Sequence, residues 1–224
     1  MAEVTSIQKS SDDTNENVFI LNHPLILDKL TRIRNKKTEK KDFQENLTEI
    51  VSLMAYEVFK YVPLANIEIE TPIAKMQGKT LAKKIILCPI LRAGLGMVSG
   101  LEHLLPNAII SHIGMYRDEA TLEPQEYFFK YPNVSDHEAA LVYILDPMLA
   151  TGGSTLAAIK KLKSIDVKNI VFIGIVGVQE GINKIHKEHK DVKIYLASLD
   201  EKLNEHGFIV PGLGDAGDRI FGTK

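Results

Sequence analysis

An α/β fold, with a mainly parallel twisted sheet flanked by helices, is predicted by three observations. Strand-like apolar runs lie at 85–91, 108–113, 139–145, 170–178 and 192–196. Helical patterns at 94–105, 154–163 and 181–189 separate several of them. Small and charged residues follow two of the runs directly, at 91–96 and 146–154. Strands buried on both faces read as unbroken apolar runs, and their alternation with helices argues for one sheet covered on both sides. Ligands of such sheets gather beyond the carboxyl ends of the strands, where the two clusters fall. The length of 224 residues suits one such domain, and 45% apolar with 25% charged residues is an ordinary soluble composition.

Taken in order, Met1 to Asn17 is polar and mixed in charge, so residues 1–20 read as a flexible extension and 21–224 as a single domain. The extension lacks the apolar core of a signal peptide, and no run reaches the ~18–20 apolar residues that cross a bilayer, so a cytoplasmic location is expected. His23-Pro24 opens a short segment ending near Arg34. Six basic residues crowd 32–41 (Arg32, Arg34, Lys36, Lys37, Lys40, Lys41), relieved by Glu39. The block suits an anionic effector or, the favoured reading, a solvated helix end and loop. Phe43, Leu47, Ile50, Val51, Met54, Ala55 and Val58 recur at helical spacing and predict one helix with a buried stripe. The stretch 66–71 alternates like an exposed strand, which Pro72 closes.

Two segments break the strand–helix alternation. Residues 114–132 are polar and aromatic and too long for a tight hairpin, so a projecting arm or mobile lid is expected. From Leu203 onward, Gly207, Gly212, Gly214, Gly217, Gly222 and Pro211 predict irregular backbone. The net charge of −2 gives no case for nucleic acid or an anionic membrane as partner. Cys88, the one cysteine, excludes an intramolecular disulfide and a cysteine-built zinc site, and reads as a buried strand residue.

The chemistry concentrates in three places. Asp146-Pro147-Met148-Leu149-Ala150-Thr151-Gly152-Gly153-Ser154 carries a buried strand through small residues onto a helix start. Thr151, Gly152, Gly153 and Ser154 put free backbone N–H groups and two hydroxyls where the helix dipole favours an anion. The glycines let backbone approach a phosphate closely, and Asp146 upstream suits a neutral diol, so the segment reads as a sugar-phosphate cradle. It is not a Walker loop, because no lysine follows Gly152-Gly153.

Ile90-Leu91-Arg92-Ala93-Gly94-Leu95-Gly96 is the second anion candidate, with Arg92 offering a fork of donors to a phosphate or pyrophosphate. A dinucleotide fingerprint fails here, since Gly100 comes one residue too late for G-x-G-x-x-G. The third is Gly212-Leu213-Gly214-Asp215-Ala216-Gly217-Asp218-Arg219, where dense glycine lets backbone groups line a ligand. Asp215 there suits a divalent cation or a sugar hydroxyl, while Asp218 and Arg219 could simply pair with each other. Ile209, Val210, Ile220 and Phe221 on either side argue for a docked segment. His186 and His189 stand among lysines on a predicted helix without a nearby third ligand, which disfavours zinc.

Together these segments resemble the uracil phosphoribosyltransferase family, of type I phosphoribosyltransferase fold. The resemblance runs from His23-Pro24 to the C-terminus and rests on residues 89–97, Met115-Tyr116-Arg117-Asp118-Glu119, 146–154 and 211–219. It implies conversion of uracil and 5-phosphoribosyl 1-diphosphate to UMP and diphosphate in pyrimidine salvage, with Mg²⁺ as cofactor. The donor would be held by Arg92, Arg117, the 146–154 loop and Asp215. Within that set Arg92, Arg117, Asp146 and Asp215 would be catalytic, and Asp215 would stand near the diphosphate's magnesium. Uracil would meet Ile209, Gly214, Asp215 and Ala216, largely through backbone. The 114–132 arm and a C-terminal hood over 203–224 belong to the same picture, as do a homo-oligomer (dimer or tetramer) and a GTP effector.

The chain departs from the family pattern outside these motifs. Gln44 stands for a usual arginine, Gln179 for a usual proline and Leu196 for a usual threonine. These departures bear on effector response and subunit contacts more than on chemistry. The alternative readings are a catalytically silent or an RNA-binding pyrimidine-nucleotide sensor of the same fold. Intact Arg92, Arg117, Asp146 and Asp215 argue against silence.

Overall fold

In a computed structural model of the chain, residues 7–9, 16–117, 124–133 and 139–223 are described, those at 7–9, 116, 117 and 124 by their backbone alone. The first elements are strands β1 (Ile7–Lys9) and β2 (Val18–Leu21) and helices α1 (Pro24–Arg34) and α2 (Lys40–Val58). The exposed pair β3 (Leu64–Glu70) and β4 (Lys75–Leu81) follows, then β5 (Ile85–Leu91) and α3 (Leu95–Glu102). Next come β6 (Ile109–Ile110), β7 (His112–Arg117), β8 (Pro124–Lys130), β9 (Leu141–Leu145), β10 (Met148–Leu149) and α4 (Gly153–Lys163). The chain closes with β11 (Asn169–Val178), α5 (Gln179–Glu188), β12 (Lys193–Asp200), β13 (Lys202–Leu203), β14 (Ile209–Val210) and α6 (Ala216–Phe221).

The main sheet runs β1-β2-β12-β11-β9-β5-β7-β8. The pairs from β2 through β7 are parallel, and only the edges, β1 on β2 and β8 on β7, are antiparallel. The predicted α/β architecture is therefore present, and its central strands β5, β9 and, after Asn169, β11 are apolar because both faces are covered. One face packs on the α2 stripe of Phe43, Leu47, Ile50, Val51, Met54, Ala55 and Val58, all buried. The other packs on Ala158, Ile159 and Leu162 of α4 with Ile182 and Ile185 of α5. Cys88 is buried in β5, and burial pushes its thiol up to about 12.

Two strands depart from the sequence reading, and the expected arm is present as an antiparallel pair. The segment taken as an extension contains β1, whose residues pair in register with β2. The exposed strand predicted at 66–71 is one arm of a hairpin, whose partner β4 was not foreseen. The arm is an antiparallel extension of the sheet edge, with Tyr127 of β8 lying over Gly114 of β7; a Cβ at Gly114 would fall 2.6 Å from the ring. Residues 118–123 of that arm lie outside the described residues.

Candidate active site

Both predicted anion loops leave the sheet at the carboxyl ends of neighbouring parallel strands, β5 and β9. After Leu91 the chain tightens through N–H to C=O bonds from Gly94 to Ile90 (2.9 Å), Leu95 to Arg92 (3.1 Å) and Gly96 to Ala93 (3.1 Å). A side chain at Gly94 would start 2.2 Å from the carbonyl oxygen of Leu145. Only glycine lets this loop lie flat on the end of β9, one residue before Asp146. That contact makes the two anion candidates neighbours.

Asp146 itself is anchored by its N–H to Ile173 O (3.2 Å), and its Oδ1 accepts the Met148 N–H at 3.3 Å. Its side chain keeps some solvent access, yet protein packed around it pushes the carboxyl up to about 7; the Met148 hydrogen bond opposes that shift. Pro147 O accepts from both Ile175 N (3.1 Å) and Val176 N (3.0 Å), and β10 then pairs with β11, so the loop is clamped to the sheet. Gly152 takes φ +73°, where its missing Cβ would stand 2.8 Å from Gly181 O. Helix α4 starts at Gly153 with no side chain capping it, which leaves its first-turn N–H groups for an anion. Lys160, Lys161 and Lys163 complement the dipole at the far end. A cleft of about 480 Å³ separates Thr151 and Glu180 from the 203–207 turn of the tail.

The tail folds over these loops. Gly96 of α3 sits against Ile220 of α6, where a Cβ would meet the Ile220 side chain at 2.9 Å. Arg92, more than half exposed, reaches an Asp218 carboxylate oxygen at 3.7 Å and lies 5.8 Å from the Phe221 ring centre. The carboxylate of Asp215 caps α6 by accepting the Asp218 N–H at 2.9 Å, and the residue faces solvent beside exposed Gly214. Ile209 and Ala216 are buried. The structure thus brings Arg92 to the tail and to the end of β9. The Arg117 side chain, assigned a donor contact by resemblance, lies outside the described residues.

Two expectations are revised. Asp218 meets Arg92 at 3.7 Å, and Arg219 is not held by its neighbour alone. Arg219 spans back to α1 and the loop after it, donating to the carbonyls of Ile33, Leu213 (2.7 Å) and Asn35 (2.8 Å), and lies over Phe43 at 4.4 Å. Carbonyls left over at a helix end are the natural partners of a guanidinium fork. Nor is Arg34 part of a solvated basic face: its guanidinium is turned inward onto Asp200, at 2.5 and 2.7 Å. The local sequence around residue 34 carries no sign of a partner 166 residues away.

Among the described residues no three His, Cys, Asp or Glu side chains gather as a metal cage. Asp215, with one oxygen engaged in the cap, fits a cation carried by phosphate oxygens and water better than a cation held by protein alone. His186 is spent on Val192 O at 2.9 Å, in the interior.

The architecture places the chain among known folds. A solved protein of Aquifex aeolicus superposes with a TM-score of 0.86 at 34% identity, covering 91% of this chain and 97% of that one. An adenine phosphoribosyltransferase of Trypanosoma brucei superposes with a TM-score of 0.57 at 15% identity, covering 89% and 90%. The fold is thus that of the type I phosphoribosyltransferases, with the 146–154 loop and the Arg92 loop at adjoining strand ends.

The sequence narrows the class. The uracil phosphoribosyltransferase family model matches residues 20–223. A uracil phosphoribosyltransferase of Malacoplasma penetrans is 59% identical over 207 residues, 92% of this chain and 99% of that protein. One of Clostridioides difficile is 56% identical over 205 residues, covering 91% and 97%. The chain belongs to the uracil phosphoribosyltransferase family.

Proposed function

We propose that the chain transfers a 5-phosphoribosyl group from 5-phosphoribosyl 1-diphosphate to uracil, giving UMP and diphosphate in pyrimidine salvage. The observation that carries this reading is the contact of Gly94 with Leu145 O, which sets the Arg92 loop beside Asp146 and the 151–154 cradle. One donor with a phosphate at each end spans such a pair of loops. In this reading the first-turn N–H groups of α4 and the Thr151 and Ser154 hydroxyls hold the 5-phosphate. Asp146 accepts the ribose hydroxyls, and Pro147, Met148, Leu149 and Ala150 shape the floor between them.

The bond from C1 of the ribose to the diphosphate oxygen breaks, the bond from C1 to N1 of uracil forms, and N1 gives up its proton. Positive charge grows on the ribose while negative charge grows on the leaving diphosphate. Catalysis then rests on donors aimed at that diphosphate, Arg92 and the Ala93-Gly94 backbone with Arg117 from the arm. Exclusion of water by the arm and the tail guards the cationic ribose from hydrolysis. Asp215 would help hold a Mg²⁺ carried by the diphosphate, which would supply neutralisation of part of the leaving group's charge. Uracil offers two carbonyls and an N–H to the backbone at Ile209 and at Gly214, Asp215 and Ala216. An N–H fixed at the 4-oxygen position would face the amino group of cytosine and reject it.

A homo-oligomer is supported by the β3–β4 hairpin. Ala65, Ile67, Ile69, Met76 and Gly78 share one face of it, and Ile67, Ile69 and Met76 are exposed. A second copy covering this face accounts for apolar side chains left to water. GTP is the effector to test, and a weak response is expected, because the Gln44 amide is engaged on Ile220 O at 2.8 Å. A cytoplasmic site of action agrees with the finding that no helix of the described residues is long and apolar enough to cross a membrane. The activity is checked by following UMP from uracil and the diphosphate donor with and without Mg²⁺. Folded protein that makes no UMP would end the proposal.

A further inference from the structure

We propose that the Arg34–Asp200 pair is a positioning device for the base-reading edge and sets uracil affinity without touching uracil. Arg34 is the last residue of α1, and Asp200 ends β12, almost wholly buried with its side chain 2% exposed. Arg34 Nη1 donates to Asp200 Oδ2 at 2.7 Å and to Gly212 O at 2.6 Å, and Nη2 donates to Asp200 Oδ1 at 2.5 Å and Ser198 Oγ at 3.0 Å. Asp200 Oδ2 also accepts the Gly212 N–H at 2.9 Å, and Oδ1 the Ser198 hydroxyl at 2.8 Å. Burial alone would push the Asp200 carboxyl up, but the hydrogen bonds of Arg34, Ser198 and Gly212 outweigh it and hold it below the usual carboxylate range.

Both polar groups of Gly212, N–H and C=O, are therefore held by one ion pair. Gly212 sits at φ +63° with room for no side chain, since a Cβ would start 2.2 Å from Ile209 O. One residue on, the Leu213 carbonyl is held by Arg219 at 2.7 Å. Two successive carbonyls gripped by two guanidinium groups form a rigid stalk, and Gly214 is the next residue. The edge assigned to uracil, at Ile209 and at 214–216, thus begins and ends on a turn whose position α1 and β12 dictate. A bidentate arginine supplies this because its planar fork meets a carboxylate and a carbonyl in one geometry, which an ammonium does not.

The inference rests on 214–216 being the base-reading edge, so the test separates the two. Steady-state KM for uracil and for the diphosphate donor is measured in Arg34→Lys, Asp200→Asn and Gly214→Ala, beside thermal melting. Arg34→Lys keeps the charge and loses the fork, and remains informative if Asp200→Asn does not fold. The expected result is a rise of about tenfold or more in uracil KM for Arg34→Lys, as a misplaced binding edge produces. Donor KM should stay within about twofold in the same variant. A raised uracil KM in Gly214→Ala with none in Arg34→Lys overturns the positioning role alone. An unchanged uracil KM in Gly214→Ala overturns the edge reading itself. Uracil and donor KM rising together in Arg34→Lys would mark a merely structural pair and also overturn the proposal.

Discussion

In the proposed reading the 146–154 loop and the 201–221 tail do comparable work by opposite means. The loop is local. A strand end, a clamped turn and a helix start follow one another within nine residues, and its polar groups are placed by secondary-structure geometry. The tail has little regular structure of its own, two short strands and a six-residue helix. Its shape comes from Arg34, Gln44 and Asp200, side chains brought from other elements. A phosphate needs N–H groups converging on a point, which a helix start supplies unaided. A flat base needs a backbone edge at a set distance from the sugar, and that demands anchors from elsewhere.

The contrast predicts that damage to the loops falls on the donor and on turnover, while damage to the tail falls on the base. The largest effect is expected at Arg92, where Arg92→Ala should lower kcat by on the order of 10²–10³-fold if the guanidinium stabilises leaving-group charge. Donor KM rising with kcat intact would contradict that role. Asp146→Asn should raise donor KM by about 10–100-fold, the loss of charge-assisted hydrogen bonds to two hydroxyls, and leave uracil KM nearly unchanged. Equal losses for both substrates would break the ribose assignment.

The same carboxyl carries a pH signature. Its folded value of about 7 lies above the ordinary 3.8, so the folded protein binds the extra proton between those values. Stability from this group is full below about pH 4 and is lost as pH rises through 7. Asp146→Asn has no such loss, so the melting temperatures of variant and parent should shift in favour of the variant between pH 4 and 8. A difference constant with pH would remove burial as the cause. Donor affinity of the parent should meanwhile improve from pH 6 to 8, as the carboxylate that accepts hydroxyls is formed.

Gly152→Val should raise donor KM by about tenfold, because φ +73° and the Gly181 carbonyl at 2.8 Å both reject a branched side chain. The smallest effect is expected at Gln44. Removing its bond to Ile220 O by Gln44→Ala should cost about 1 kcal/mol in urea unfolding and leave donor KM unmoved. No change in the unfolding midpoint would show that the tail is anchored without it.

What was legible in the sequence follows the same division. The parallel sheet, the α2 stripe and the two loops at the strand ends were readable because their signals are periodic or contiguous: Phe43 to Val58 at helical spacing, Asp146 to Ser154 in one stretch. Strand β4 was missed because Gly78 and Thr80 leave Met76 as the one apolar residue on its face, so the alternation is too weak to read. Arg34 was read as solvated because its neighbours are basic, while Asp200 is far along the chain. Arg219 was read beside adjacent Asp218, yet it also reaches the carbonyls of Ile33 and Asn35 at the end of α1. Gly214 is held to glycine by conformation and not by crowding. A Cβ there would meet only the Arg219 side chain, at 3.6 Å, and it is φ +81° that demands glycine.

The division of labour between loop and tail is tested most directly by the two KM values measured side by side in Gly152→Val and Gly214→Ala. The account predicts a crossed result, with donor KM raised only in the first variant and uracil KM raised only in the second. Both KM values moving together in both variants would contradict it.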